Sequence, residues 1–126
     1  MLVQGGVSTL LGKGTHGHVW RVPEGALKVF SHLSEYMLSI KSPVVLGVGS
    51  IVDAPTAALF IAHGANFIVS PNFNPEVAKL CNRRKIPYLP GCLTPTEIAT
   101  AEGLGVEVCK IFPGSAGGPE FISAGV

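Results

Sequence analysis

Apolar positions in this chain come in short bursts, not in one long amphipathic stripe. From residue 43 onward, runs of β-branched or aliphatic residues alternate with helix-like stretches, and Gly, Pro, Asn or Asp punctuates each change. Pro43-Val44-Val45-Leu46-Gly47-Val48-Gly49 predicts a strand. Asp53 then predicts the cap of a helix running through Ala57-Ala58-Leu59-Phe60-Ile61-Ala62 and ended by Gly64. Asn66-Phe67-Ile68-Val69-Ser70 predicts the next strand, with a helix at about Pro75 to Asn82. Ile86-Pro87-Tyr88-Leu89 and a helix from Pro95 to Glu102 make a third unit. Gly103-Leu104-Gly105 leads into a fourth strand, Val106-Glu107-Val108-Cys109-Lys110-Ile111-Phe112, closed by Pro113-Gly114.

The predicted strand ends fall at Ser50, Ser70, Gly91 and Lys110, at nearly constant spacing. Strands joined by helices of this length imply right-handed crossovers and a parallel sheet, hence an α/β fold. A doubly wound sheet and a (β/α) barrel both fit. The uniform units, and the special residues at the strand ends, favour the TIM barrel, whose active site forms at the carboxyl ends of its strands. Residues 1–126 are expected to form a single domain, with 1–42 atypical and 43–126 holding four βα-type units. A full barrel takes at least ~200 residues, so the expected architecture is a partial (β/α)8 barrel, about strands 2–6 with their helices.

Lys110 is the residue with the most chemical meaning. Burying an ammonium costs several kcal/mol unless it is paired or neutralised. A desolvated lysine loses its proton more readily, and the neutral amine attacks carbonyls. The bland alternative is a strand-end lysine that snorkels to water. Alternation along the strand puts Val106, Val108, Lys110 and Phe112 on one side, with Cys109 and Ile111 toward the helices. Lys110 then points into the barrel near its mouth, which weakens the bland reading.

Composition narrows the remaining classes. Net charge is +1 with scattered Lys and Arg, which leaves no electrostatic footprint for nucleic acid. Arg83-Arg84-Lys85 reads as the positive end of a helix. No apolar stretch approaches the ~18 residues of a membrane span, and without a basic run followed by an apolar one at the start, no signal peptide is expected. Cys81, Cys92 and Cys109 lack Cys-x-x-Cys pairing and are odd in number, which predicts reduced thiols in a cytoplasmic protein. His16 and His18 have no evident third ligand nearby, so no metal is expected.

Several pieces carry a resemblance: Gly47-Val48-Gly49-Ser50, Ser70-Pro71, Pro90-Gly91 followed by Thr94 and Glu97, and Lys110-Ile111-Phe112-Pro113. In order and spacing, from about Val44 to Phe121, the chain resembles the 2-keto-3-deoxy-6-phosphogluconate and 4-hydroxy-2-oxoglutarate aldolase family. The resemblance implies a class I aldolase on a (β/α)8 barrel, acting on a small 2-keto acid without a cofactor. It implies Lys110 as the Schiff-base lysine, with Ser50, Pro71 and Phe112 lining the keto-acid pocket. It also implies a homo-oligomer, the family being trimeric.

The amino-terminal third departs from that pattern. Relatives carry Glu-x-Thr-x-Arg on the preceding strand, the Glu serving as general acid/base, whereas the comparable Ser8-Thr9-Leu10-Leu11-Gly12-Lys13-Gly14 has no carboxylate. Among the acidic residues, Asp53 alone is expected near the mouth, and a helix cap is its expected job. Imine formation without efficient turnover is the expectation. A partial barrel would also expose strand edges and interior apolar side chains, which favours association. In the same third, Gly12-Lys13-Gly14-Thr15-His16-Gly17-His18-Val19 resembles the protein-kinase glycine loop, with Ala26-Leu27-Lys28 resembling the kinase Ala-x-Lys. That implies an alternative, nucleotide-phosphate binding through the loop and Lys28. A chain with a single Asp, Asp53, lacks the carboxylates that kinase chemistry needs. A non-catalytic, self-associating remnant is the third reading.

Overall fold

The computed structural model describes residues 2–4, 9–14, 17–21 and 24–124. Strand β1 (Leu2–Gln4) precedes a hairpin of β2 (Thr9–Gly14) and β3 (Gly17–Arg21), and then helix α1 (Glu24–Ser39). Strand and helix alternate from there: β4 (Gly47–Gly49), α2 (Ala54–Ala62), β5 (Ile68–Val69), α3 (Pro75–Arg84) and β6 (Tyr88–Leu89). Next come β7 (Gly91–Cys92), α4 (Pro95–Gly103), β8 (Lys110–Ile111) and α5 (Gly114–Ala124). The protein is α/β, and β1, β4, β5 and β6 form one parallel sheet in that order. β7 and β8 pair in parallel as well. Pro90 alone separates β6 from β7, and the Gly91 N–H donates to the Ser70 carbonyl at 2.9 Å, so one extended segment serves both sheets.

Each helix between the parallel strands starts on a residue that the sequence marks. The Asp53 carboxylate accepts from the Thr56 N–H at 2.8 Å, the cap expected of it. Asn74 accepts from the Glu76 N–H at 2.9 Å and precedes Pro75 at the first helical position. Thr94 and Glu97 close a capping box around Pro95, with the Glu97 carboxylate accepting from the Leu93 and Thr94 amides, both at 2.9 Å. Arg83 and Arg84 occupy the last turn of α3, where positive charge complements the helix dipole, and left-handed Lys85 ends the helix.

The strands are shorter than their apolar runs, and the hydrogen bonds show why. In the first, the Leu46 N–H donates to the Asn66 side chain at 3.2 Å, so a side chain stands in for a ladder partner, and pairing begins only at Gly47. In the last, the register Gly91↔Lys110 would aim the residue-90 N–H at Val108. Pro90 has no N–H. The ladder therefore begins when the Lys110 N–H reaches the Pro90 carbonyl at 2.9 Å, and Val106–Cys109 stay outside it. A cavity of about 460 Å3 opens in this gap, bounded by α3, Tyr88, Leu89 and residues 105–108, at the amino-terminal end of the strands.

Register divides the sheet into two faces. Val48, Ile68 and Tyr88 align across three strands and point toward the helices. They pack with Phe30, Ala57, Phe60, Val77, Ala78, Cys81 and Ala101, all fully buried, and Phe30 meets Phe60 edge-to-face at 5.4 Å. Here the core sits. The opposite face carries Gly47, Val69, Leu89, Gly91 and Lys110, and it is open enough that Val108 and Phe112 remain 57% and 44% exposed.

Two expectations for the amino-terminal third change. Residues 9–14 pair antiparallel with residues 17–21, and Leu2–Gln4 is the strand beside β4. Thr9–Gly14, from the stretch compared with the relatives' glutamate-bearing strand, thus lies in a hairpin, and Ser8 falls outside the described residues. Ala26-Leu27-Lys28, good helix formers, sit on α1 with Lys28 exposed, not on a strand facing a phosphate loop. That placement overturns the kinase-like reading. Thr15 and His16 lie outside the described residues. No helix among those described is long and apolar enough to cross a membrane.

Gly91 tolerates no side chain, because a Cβ there would lie 2.1 Å from the Pro71 carbonyl oxygen. Gly91→Ala is expected to destabilise the protein by about 2 kcal/mol, read as a lower urea midpoint. Hydrogen bonds from Leu93 and Thr94 hold the Glu97 carboxyl below its ordinary range. The stabilisation from that cap is complete above the unfolded value of about 4.3. It is lost as pH falls through the lowered folded value, so Glu97→Gln should flatten the acid limb of a pH–stability curve.

Candidate active site

Successive strand ends bring the candidate residues to one end of the sheet. The Ile51 N–H donates to the Val69 carbonyl at 3.1 Å, placing the β4 exit beside that of β5. The Pro71 carbonyl presses against Gly91, and Gly91 is the register partner of Lys110. The Phe112 N–H donates to the Cys92 carbonyl at 3.1 Å, which carries β7 and β8 out together. Pro71, Lys110 and Phe112 therefore gather at the carboxyl ends of β5 and β8, on either side of Gly91.

Ser50 reaches that end differently. Strand parity alone would turn it toward the helices with Val48. Its backbone adopts the left-handed conformation, φ +59°, which breaks the alternation just where the chain leaves β4. A non-glycine residue held there is uncommon and strained, and such residues gather at functional sites. Ser70 keeps the parity and is wholly buried on the helix side, so within Ser70-Pro71 only the proline belongs to the open face.

Lys110 is half-buried, with its Nζ 4.6 Å from the centroid of the Phe112 ring. This contact confirms that residues 110 and 112 share a side. Burial lowers the Lys110 pKa. The aromatic face pulls the other way, since it stabilises the ammonium, but desolvation dominates. Among the described residues, the carboxylates lie elsewhere. Asp53 and Glu97 cap helices, Glu76 pairs with Lys79 at 2.8 Å, and Glu107 is exposed one strand position off the Lys110 face. Among the described residues the amine thus has an apolar, aromatic setting with no ion pair to a carboxylate. No group of three His, Cys, Asp or Glu side chains among the described residues could hold a metal ion.

On the helix side lies chemistry that the residue pattern did not single out. Burial pushes the Cys81 thiol up to about 11, and burial with the neighbouring Cys109 pushes Cys92 up to about 12. Such thiols are inert packing groups. Tyr88 is buried among them, and its hydroxyl accepts from the Asn74 N–H at 3.2 Å and donates to the Asn72 carbonyl at 3.4 Å. The Ser70 hydroxyl neighbours this phenol without hydrogen-bonding geometry. A tyrosine in the otherwise aliphatic Ile86-Pro87-Tyr88-Leu89 was the available signal, because a buried phenol needs partners.

The family profile of the KDPG and KHG aldolases matches residues 18–124. The chain belongs to the KDPG and KHG aldolase family. It is 40% identical over 82 residues to the 2-dehydro-3-deoxy-phosphogluconate aldolase of Treponema pallidum, covering 64% of this chain and 39% of the relative. To the 2-dehydro-3-deoxy-6-phosphogalactonate aldolase of Escherichia coli K12 it is 35% identical over 80 residues, covering 64% of this chain and 39% of that one. Among solved structures it is similar to the KDPG aldolase of Legionella pneumophila, captured with pyruvate as a covalent carbinolamine. The TM-score there is 0.73 at 25% identity, over 80% of this chain and 48% of that one. The chain spans less than half the length of these relatives.

The lowered Lys110 pKa makes a titration the direct check of this setting. Selective acylation of Lys110 should show an inflection below the ordinary lysine value of about 10.4, so more of the amine is neutral at any given pH. Phe112→Leu keeps apolar cover but removes the ring that favours the ammonium. The inflection should then fall further, by about half a pH unit.

Proposed function

We propose that this chain carries class I aldolase chemistry on 2-keto acids, with Lys110 as the Schiff-base residue. The observation that supports it most is a lysine amine with a lowered pKa at a strand's carboxyl end, on the open face of a parallel sheet, in a chain of this family. Neutral Nζ adds to the C2 carbonyl of the keto acid to give a carbinolamine. Protonation of its hydroxyl by solvent and loss of water then leave a protonated imine. That imine withdraws electrons from the neighbouring carbon, so the C3–C4 bond can break with release of an aldehyde and formation of an enamine. Protonation and hydrolysis of the enamine free pyruvate and restore the amine. With 2-keto-3-deoxy-6-phosphogluconate or 4-hydroxy-2-oxoglutarate as substrate, the aldehyde is the phosphorylated triose or glyoxylate.

In this reading Phe112 covers the stem of Lys110 and keeps water from it. Pro71 shapes the opposite wall, and the Ser50 hydroxyl with nearby backbone amides holds the keto-acid carboxylate. The architecture is part of a (β/α)8 barrel, with residues 1–126 as one domain and 43–126 as its four βα-type units. Uniform strand–helix alternation and the gathering of special residues at one strand end support it. A homo-oligomer fits the exposed Val108 and Phe112 on the open face.

Turnover also needs a positioned acid/base, which typically contributes 10²–10⁴-fold. None adjoins Lys110 among the described residues, so imine formation is expected to outpace carbon–carbon cleavage. The test is incubation with pyruvate and borohydride, followed by peptide mapping. A reduced pyruvyl adduct on Lys110, abolished in Lys110→Met, is the expected result. A folded sample that yields no adduct, or one labelled at other lysines alone, overturns the proposal.

A further inference from the structure

The loops that would form the keto-acid pocket are tied together from behind, by groups that do not face it. Tyr88 stands on β6, and its hydroxyl reaches the loop after β5, accepting from the Asn74 N–H at 3.2 Å and donating to the Asn72 carbonyl at 3.4 Å. Asn74 passes the connection on. Its Oδ1 caps α3, while its Nδ2 donates to the Val52 carbonyl at 3.0 Å, in the loop that leaves Ser50. A continuous set of hydrogen bonds thus runs from the β4 exit, through the β5 exit, to the strand that continues through Pro90 to Gly91, the register partner of Lys110.

We propose that Tyr88 is a positioning residue for the keto-acid pocket, its phenol fixing the loops of Ser50 and Pro71 against the strand that pairs with Lys110. The inference rests on the Schiff-base reading of Lys110. Loops at strand ends are the mobile parts of such folds. Ser50 already holds a left-handed backbone, and Pro71 meets Gly91 through a carbonyl contact with no room to spare. Small loop shifts would therefore change the shape offered to a keto acid without moving Lys110, which the Pro90 carbonyl anchors separately. Burial also raises the Tyr88 pKa, keeping the phenol protonated and able to donate.

The test is Tyr88→Phe in the full chain, with the rate of borohydride trapping followed as a function of pyruvate concentration. Removing the hydroxyl, and with it the bonds to Asn72 and Asn74, should raise the half-saturating pyruvate concentration roughly fivefold. The plateau rate and the Lys110 inflection should move less than twofold. Asn74→Asp keeps the α3 cap and replaces the donor to Val52 with a carboxylate oxygen, so it should raise half-saturation in the same direction. A smaller trappable fraction with unchanged half-saturation in both variants would mean a merely structural role and overturns the proposal. If the unmodified chain traps no pyruvate, the Schiff-base reading fails on its own account. Amide hydrogen exchange then decides the tether, which requires faster exchange at residues 50–53 and 71–74 in Tyr88→Phe and is overturned by unchanged exchange there.

Discussion

The junction Pro90-Gly91 is the constraint on which the rest of the architecture turns. Pro90 lacks an N–H, so the last strand cannot zip along the whole of β6 and first engages at Lys110. Gly91 lacks a side chain, so the Pro71 carbonyl can close on it from the neighbouring strand end. One missing hydrogen sets where Lys110 enters the sheet, and one missing methyl sets how near Pro71 comes. Both follow from residue identity alone, and together they place a lysine, a proline and an aromatic ring around the same two-residue strand.

Much of the fold was legible because its signals are local. Asp53, Asn74 and Thr94 each precede a proline and a helix, and all three caps form as their side chains dictate. Strand lengths were not legible, since they depend on which partner supplies each hydrogen bond. Leu46 finds a side chain, and Val108 meets a proline. A glycine-rich run fits a plain hairpin and a phosphate loop equally well, and the helical placement of Lys28 distinguishes them.

The candidate site divides along similar lines. Lys110 and Phe112 could be assigned to one side from strand alternation, and their 4.6 Å contact agrees. Ser50 could not be placed that way, because a positive φ cancels the alternation at its position. The Tyr88–Asn74–Val52 connection spans residues far apart in sequence, so no periodicity announces it. Among the described residues no acid pairs with Lys110, and the small number of carboxylates in the sequence already pointed that way. So few carboxylates are present that helix caps and one surface ion pair occupy several of them.

The sheet's two faces have different duties, and this bears on how the protein can change. Val48, Ile68 and Tyr88 hold the helices on one side, while Leu89, Lys110 and Phe112 look outward on the other. Replacements of Lys110 and Phe112 on the outward side cost little packing, so reactivity there can drift, sharpen or vanish while the scaffold persists. Selection can therefore reshape or discard the chemistry of such a layer in single steps, whereas its inner side must be rebuilt in concert or left alone.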